Sequence, residues 1–200
     1  MKVVWRYALA KPNKELGTAS RLANGNTHVV ERGPKPRLLE ITKDGNIAVE
    51  VPLKPETDNG HMQTRMARKL PNGNYIVPHL LAFKVKEYKP DGTVVNEIKT
   101  DLAELGGRVA ENWPFTAIRL ANGNTVVNLT HGNKTVEFDA KGRVSWCVDD
   151  SDVAGRFADP CGVQRLPNGN TVSSSYAQRN SAKVRVFEVN REREVVWELF

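Results

Sequence analysis

Three of the four histidines stand where side chains could share a proton or a metal ion. His61, His79 and His131 each fall in or beside a polar connection between apolar, β-branched runs. Arg65, Arg108, Glu111, Trp113, Asp159 and Tyr176 fall in the same kind of connection. Imidazoles titrate near neutral pH and ligate metals. Guanidinium groups grip anions through paired donors, and indole and phenol rings wall pockets. A converging set would place His61, Arg65, His79 and His131 as candidate catalytic groups. Trp113, Arg108, Glu111, Asp159 and Tyr176 would then be the ligand contacts. The plainer reading is that each residue caps loop backbone or packs between neighbouring elements. Three histidines are not a ligand motif until geometry joins them, so no metal site and no cofactor are expected.

The elements that must position these residues are written as a repeat, and repeats decide the fold before anything else does. Asn-Gly-Asn recurs with its glycine at Gly25, Gly73, Gly123 and Gly169, at spacings of 48, 50 and 46. A basic residue and Leu precede each copy: "RLANGNT" at 21, "KLPNGNY" at 69, "RLANGNT" at 119 and "RLPNGNT" at 165. A short segment with a glutamate follows, at Glu40, Glu87, Glu137 and Glu188. Then come a second turn ("TKDGN", "KPDGT", "DAKGR", "NRERE") and a closing β-rich run ("NIAVEV", "TVVNEI", "RVSWCV", "EVVWEL").

Four short runs per unit, rich in β-branched and aromatic residues and divided by turn residues, read as four strands, A to D. Asn-Gly is a strong two-residue hairpin signal and predicts a type I′ turn, with both central residues at positive φ. "KPDG" suits a type I turn followed by a left-handed glycine. A four-stranded antiparallel unit repeated at this period is a β-propeller blade. The blades are expected at about 16–51, 62–98, 114–148 and 160–200. "KVVWRY" at 2–7 matches a strand D, with Trp5 aligned to Trp146 and Trp197. The chain is thus all-β: four blades plus one N-terminal strand, an arc of a larger propeller. A closed four-bladed ring with a spare strand and two arcs joined into a larger ring are the alternatives. An arc leaves blade faces open to self-association.

Bulk properties narrow the function classes. With 40% apolar and 26% charged residues the chain reads as globular. It has 29 Lys and Arg against 23 Asp and Glu, a net charge of +6. The charges alternate without a basic block, so the surplus reads as solvated surface and no nucleic-acid partner is expected. No apolar run is long enough to span a membrane. The start lacks the pattern of a signal peptide. Cys147 and Cys161 are too few for a disulfide scaffold and read as two free, mostly buried thiols.

The motifs "RLPNGNT" (165–171), "VFEV" (186–189) and "EVVWEL" (194–199), with their earlier counterparts, resemble the bacterial β-propeller repeat proteins of the LPNGNT type. Those are related in style to PQQ-like, NHL and arylsulfotransferase propellers. The resemblance implies a propeller and an exported or periplasmic parent. In the arylsulfotransferase pattern a histidine lies five residues before the repeat's Leu. The matching positions here hold Gly17, Arg65, Phe115 and Cys161, which argues against sulfotransfer by such a residue. No adjacent cysteine pair or calcium-type carboxylate cluster suggests a PQQ pocket.

Blade geometry puts the Asn-Gly and second turns on one face, and the B–C loops and D–A links on the other, where function gathers. The links are 52–63, 99–115 and 149–161; the loops lie near 32–36, 79–83, 129–133 and 175–183. Glycine-to-glutamate offsets of 15, 14, 14 and 19 show that the last loop is the longest. A basic residue and a glutamate present once per blade are expected to be architecture. His28, inside strand B, is expected to pack between blades. The function expected is a non-catalytic scaffold binding a small ligand or protein through its top-face loops. The alternative is a channel-mouth transferase, lyase or hydrolase.

Overall fold

The computed structural model describes residues 3–177 and 184–200. It contains four antiparallel sheets, each of four strands in sequence order. The first holds β1 (Glu15–Arg21), β2 (Thr27–Arg32), β3 (Arg37–Ile41) and β4 (Ile47–Pro52). The second holds β5 (Arg68–Lys69), β6 (Tyr75–His79), β7 (Lys84–Tyr88) and β8 (Val94–Lys99). The third holds β9 (Pro114–Arg119), β10 (Thr125–Leu129), β11 (Lys134–Phe138) and β12 (Val144–Asp149). The fourth holds β13 (Pro160–Arg165), β14 (Thr171–Ser175), β15 (Val186–Val189) and β16 (Val195–Leu199). The short β5 has a local cause. Pro78, in β6 opposite the segment just before β5, has no amide proton to donate, so only its carbonyl is used, by Arg65 N.

The Asn-Gly turns correct the type I′ expectation. Leu22 O accepts from Gly25 N and Leu22 N donates to Asn26 O. Gly25, Gly73, Gly123 and Gly169 lie at φ 83° to 89°, while the asparagines before them are not at positive φ. This is a type I turn closed by a left-handed glycine, the same form as the Asp-Gly turns. The asparagine avoids the left-handed region because its side chain has other work: Asn24 Oδ1 accepts from Asn26 N at 3.0 Å.

The second asparagine explains the rest of the repeat. Asn26, Asn74, Asn124 and Asn170 each donate through Nδ2 to the glutamate of their own blade, at 2.6–2.7 Å. The other carboxylate oxygen receives the basic residue of the next blade. Lys69 pairs with Glu40, Arg119 with Glu87 at 2.9 Å, and Arg165 with Glu137 at 2.7 Å. The recurring residues are thus a stitch between blades. Apolar layers lie beneath it: Val30, Leu38 and Val51 against Tyr75 and Val77, Ile76 and Val85 against Val127 and Phe138, and Trp146 and Val148 against Phe187 and Val189. Glu137→Gln is expected to destabilise the chain by about 1–3 kcal/mol, since it takes charge-assisted bonds from Arg165 and Arg191. Glu188→Gln, with no cation beside Glu188 among the described residues, should cost less than about 1 kcal/mol. Equal losses in urea titrations would refute the stitch.

The arc is open. Among the described residues, no core cluster and no backbone hydrogen bond joins the first blade to the fourth. The N-terminal strand differs from expectation in one respect. Residues 3–10 make no ladder. Their side chains nonetheless sit where a preceding blade's strand D would lie: Trp5 and Tyr7 pack on Val29, Leu39 and Ile41, the face of the first blade that looks away from the second.

Candidate functional site

The loop and link end of the blades brings three of the candidate residues together between the third and fourth blades. Trp113 ends the link before β9, and Pro114 fixes the chain as it turns into the strand. His131 lies in the loop between β10 and β11. Its ring stacks on the Trp113 indole with centroids 4.2 Å apart. Asp159, the residue before Pro160 and so the counterpart of Trp113 one blade on, places Oδ1 3.1 Å from His131 Nδ1. The His131 side chain keeps 45% exposure, so the group faces solvent rather than a closed core.

Backbone geometry fixes this cluster. Thr130 N donates to Trp113 O, Trp113 N to Glu111 O, and Tyr176 N to Asp159 O. Asp159 N donates to Asn133 Oδ1 at 2.9 Å. Glu111, Asn133 and Asp159 are all left-handed, at φ 50°, 48° and 50°. Such strain costs about 1–3 kcal/mol per residue and gathers at functional sites. Gly132 is held close by the same link: a Cβ there would lie 2.1 Å from Asn112 Oδ1. Chemically, the cluster offers an imidazole oriented by a carboxylate and backed by an indole face.

The other candidates go elsewhere. His61 is exposed, with Nδ1 3.2 Å from Glu15. Arg65 is buried, donates to Thr64 O and lies over the Phe115 ring at 5.4 Å, at the mouth between the second and third blades. Arg108 lies over Phe83 at 4.3 Å and is tied to Asp101 and Leu81 O. Glu111 contributes backbone to the cluster, and the Tyr176 ring is 82% exposed. Most of the long loop at 175–183 lies outside the described residues.

His79 needs a correction. It ends β6 instead of lying in a loop and is only 2% exposed. Its Nε2 is 3.0 Å from Tyr88 Oη and its Nδ1 3.3 Å from Glu56, which Lys86 also binds. Burial lowers its pKa, against the opposing pull of Glu56. The three histidines therefore do not converge, and no group of three His, Cys, Asp or Glu among the described residues could hold a metal. Both thiols are free, and burial pushes each up to about 11, which leaves them protonated and inert at neutral pH.

Residues 1–192 match the family model described as Mal s 1 allergenic protein-like. The chain belongs to that family. No curated protein matches its sequence. Among solved structures, a protein of unknown function from Bacteroides caccae superimposes with a TM-score of 0.79 at 24% identity, over 98% of this chain and 70% of that one. Virginiamycin B lyase from Staphylococcus aureus gives 0.68 at 14% identity, over 96% of this chain and 58% of that one. A streptogramin B lyase gives 0.68 at 12%, over 94% and 55%. The chain therefore spans little more than half the length of these lyases, and the likeness is one of fold. The LPNGNT resemblance agrees with these findings at the level of a β-propeller-type fold, while the matching family is the Mal s 1-like one.

Two polar groups escaped the sequence reading. Glu31, fully buried in β2, accepts from Tyr7 Oη, Ala10 N, Asn13 Nδ2 and Arg37 Nε at 2.5–2.9 Å. A cavity of about 400 Å3, lined in part by Asn13, Lys35, Arg37 and Pro52, opens beside it. The second is the Glu56–Lys86 pair next to His79. The available signal was the departure of Glu31 and His79 from Leu129 and Ser175, their counterparts in the other blades.

Proposed function

We propose that the chain is a non-catalytic β-propeller scaffold that binds a small ligand at the mouth between its third and fourth blades. The observation that carries this reading is the stack of His131 on Trp113 with Asp159 at 3.1 Å. Three residues that differ between blades meet there, on the loop face, over a backbone that is left-handed at Glu111, Asn133 and Asp159. A flat ligand with a hydrogen-bonding edge would lie against the ring pair, with Asp159 and His131 reading the edge. Amide shifts in isotope-labelled protein, titrated with a panel of aromatic amides and acids, should cluster at 111–114, 130–133 and 158–161. Trp113→Ala should weaken the best binder about tenfold or more while leaving the fold intact. Shifts confined to the turn face would overturn the reading.

One observation favours a second reading. A carboxylate beside Nδ1 of an exposed imidazole is also the arrangement of a general base. Among the fold relatives, one virginiamycin B lyase structure is a catalytically inactive histidine-to-alanine variant with quinupristin. Chemical change in a bound panel compound, followed by mass spectrometry and lost in His131→Ala, would select the enzyme over the scaffold.

A further inference from the structure

Two buried arginines share one carbonyl at the joint between the first and second blades. Arg32, at the end of β2, is 6% exposed, and Arg65, just before β5, is 8% exposed. Arg32 Nη1 donates to Thr64 O at 3.4 Å, and Arg65 Nη1 donates to the same oxygen at 3.0 Å. Arg32 is engaged in the joint itself. Its Nη1 also reaches His61 O at 3.0 Å, and its Nη2 reaches Glu15 at 2.8 Å and Leu16 O at 3.3 Å. Gly17, the first blade's counterpart of Arg65, lets it pass: a Cβ there would lie 3.1 Å from Arg32 Cδ and Nε.

Arg65 is not engaged in this way. Nη1 is the only one of its nitrogens with an acceptor among the described residues. Nε and Nη2, the paired donors along one edge of the guanidinium, have none, and no carboxylate among the described residues pairs with it. Phe115 of the third blade covers its face at 5.4 Å. Its backbone is pinned from the first blade: Thr18 Oγ1 donates to Arg65 O at 3.4 Å and accepts from Ala67 N at 3.1 Å. Described blades flank Arg65 on both sides, so these contacts are set within the chain.

A charge taken this far from water is costly unless it is paired. Two guanidiniums against the single carboxylate of Glu15 leave one positive charge over. The unused edge of Arg65 offers two parallel N–H donors, the match for the two oxygens of a carboxylate. We propose that Arg65 anchors a binding site for a small planar carboxylate. The carboxylate lies in the guanidinium plane, bridged by Nε and Nη2, and its charge balances the surplus. The proposal stands apart from the His131–Trp113 stack: that pair reads a flat face, and this site reads charge.

Calorimetric titration with benzoate, and with benzamide as its uncharged isostere, tests this at fixed ionic strength. Benzoate should bind the parent about tenfold or more tighter than benzamide, and it should move the Arg65 Nε–H signal in NMR spectra. Arg65→Lys keeps the charge but loses the fork, and should weaken benzoate about tenfold or more. Arg65→Met should abolish binding. Arg108→Met removes a loop-face arginine already paired with Asp101, and should leave benzoate binding unchanged. Without ligand, Arg65→Met should melt at or above the parent's temperature, because an unpaired buried charge is gone. A ligand-free Arg65→Met chain that melts well below the parent marks Arg65 as structural and overturns the proposal. So does a parent that binds benzoate no better than benzamide, an unmoved Arg65 signal, or benzoate binding undiminished in Arg65→Met.

Discussion

Glu31→Ala is expected to lower the stability of the chain by about 3–5 kcal/mol, the cost of removing one partner of a buried ion pair. At roughly 2–4 °C per kcal/mol for a chain of this size, the melting temperature should fall by about 6–20 °C. The carboxylate is fully buried and takes four donors. Burial raises its pKa, but the bonds from Arg37, Ala10, Tyr7 and Asn13 outweigh burial and hold it at about 2. The same contact pushes the Tyr7 phenol up to about 12, burial being the larger cause. Without Glu31, Asn13 and Arg37 lose their shared acceptor and the N-terminal segment loses its anchor. Limited trypsin digestion should then cut at Arg6 or Lys14 before the blades. Glu31→Gln keeps the shape and should recover part of the loss. A melting temperature unchanged in Glu31→Ala would show that the packing of Trp5 and Tyr7 holds the segment without the carboxylate.

His28→Leu is expected to remove about 3 kcal/mol of acid sensitivity. His28 is fully buried in β2, tilted against Tyr75 at 5.5 Å, and neither ring nitrogen has a hydrogen-bond partner. Burial lowers its pKa from 6.5 to about 4; Glu40 pulls it back up and Lys69 adds to the lowering. The folded pKa is below the unfolded one, so the unfolded chain takes up the proton first. Stability is complete above about pH 6.5 and is lost as pH falls towards 4, by about 3 kcal/mol for such a displacement. His79, lowered by burial, acts in the same direction. Glu31, Glu40 and Glu56, each held at about 2, act in a different window: their contribution is present above about 4.5 and lost as pH falls towards 2. Urea titrations at pH 7 and pH 4 separate the two. At pH 7 the leucine variant should match or exceed the parent, because two orphaned buried nitrogens are gone. A pH 7 to pH 4 loss as large as the parent's would sink the assignment.

Much of the architecture was legible in the residues because blades are local. A strand, a tight turn and the next strand are neighbours in sequence, so Asn-Gly-Asn, the flanking basic residue and the glutamate recur in phase and announce the blade. The stitch was legible as architecture, though not as a contact between blades: Glu87 and Arg119 are 32 residues apart, and only packing shows that the pair crosses a joint. The turn type was misread because the same Asn-Gly suits two hairpin loops, and the choice is made by Asn24 Oδ1 capping Asn26 N.

The site was legible as a face and not as a set. Sequence placed Trp113, His131 and Asp159 among the loop-face residues because they break the repeat. It placed His61, Arg65, His79 and Arg108 there equally, and had no means of ranking them. Sequence by itself determined the four-stranded units, their order, and the end of each blade at which variation collects, since hairpin chemistry and strand patterning act over a few residues. Only the tertiary structure decided which variable residues meet. That depends on how far each link carries its side chain across a joint: Asp159 across to His131, Arg65 across to Phe115, and Glu56 down onto a buried His79.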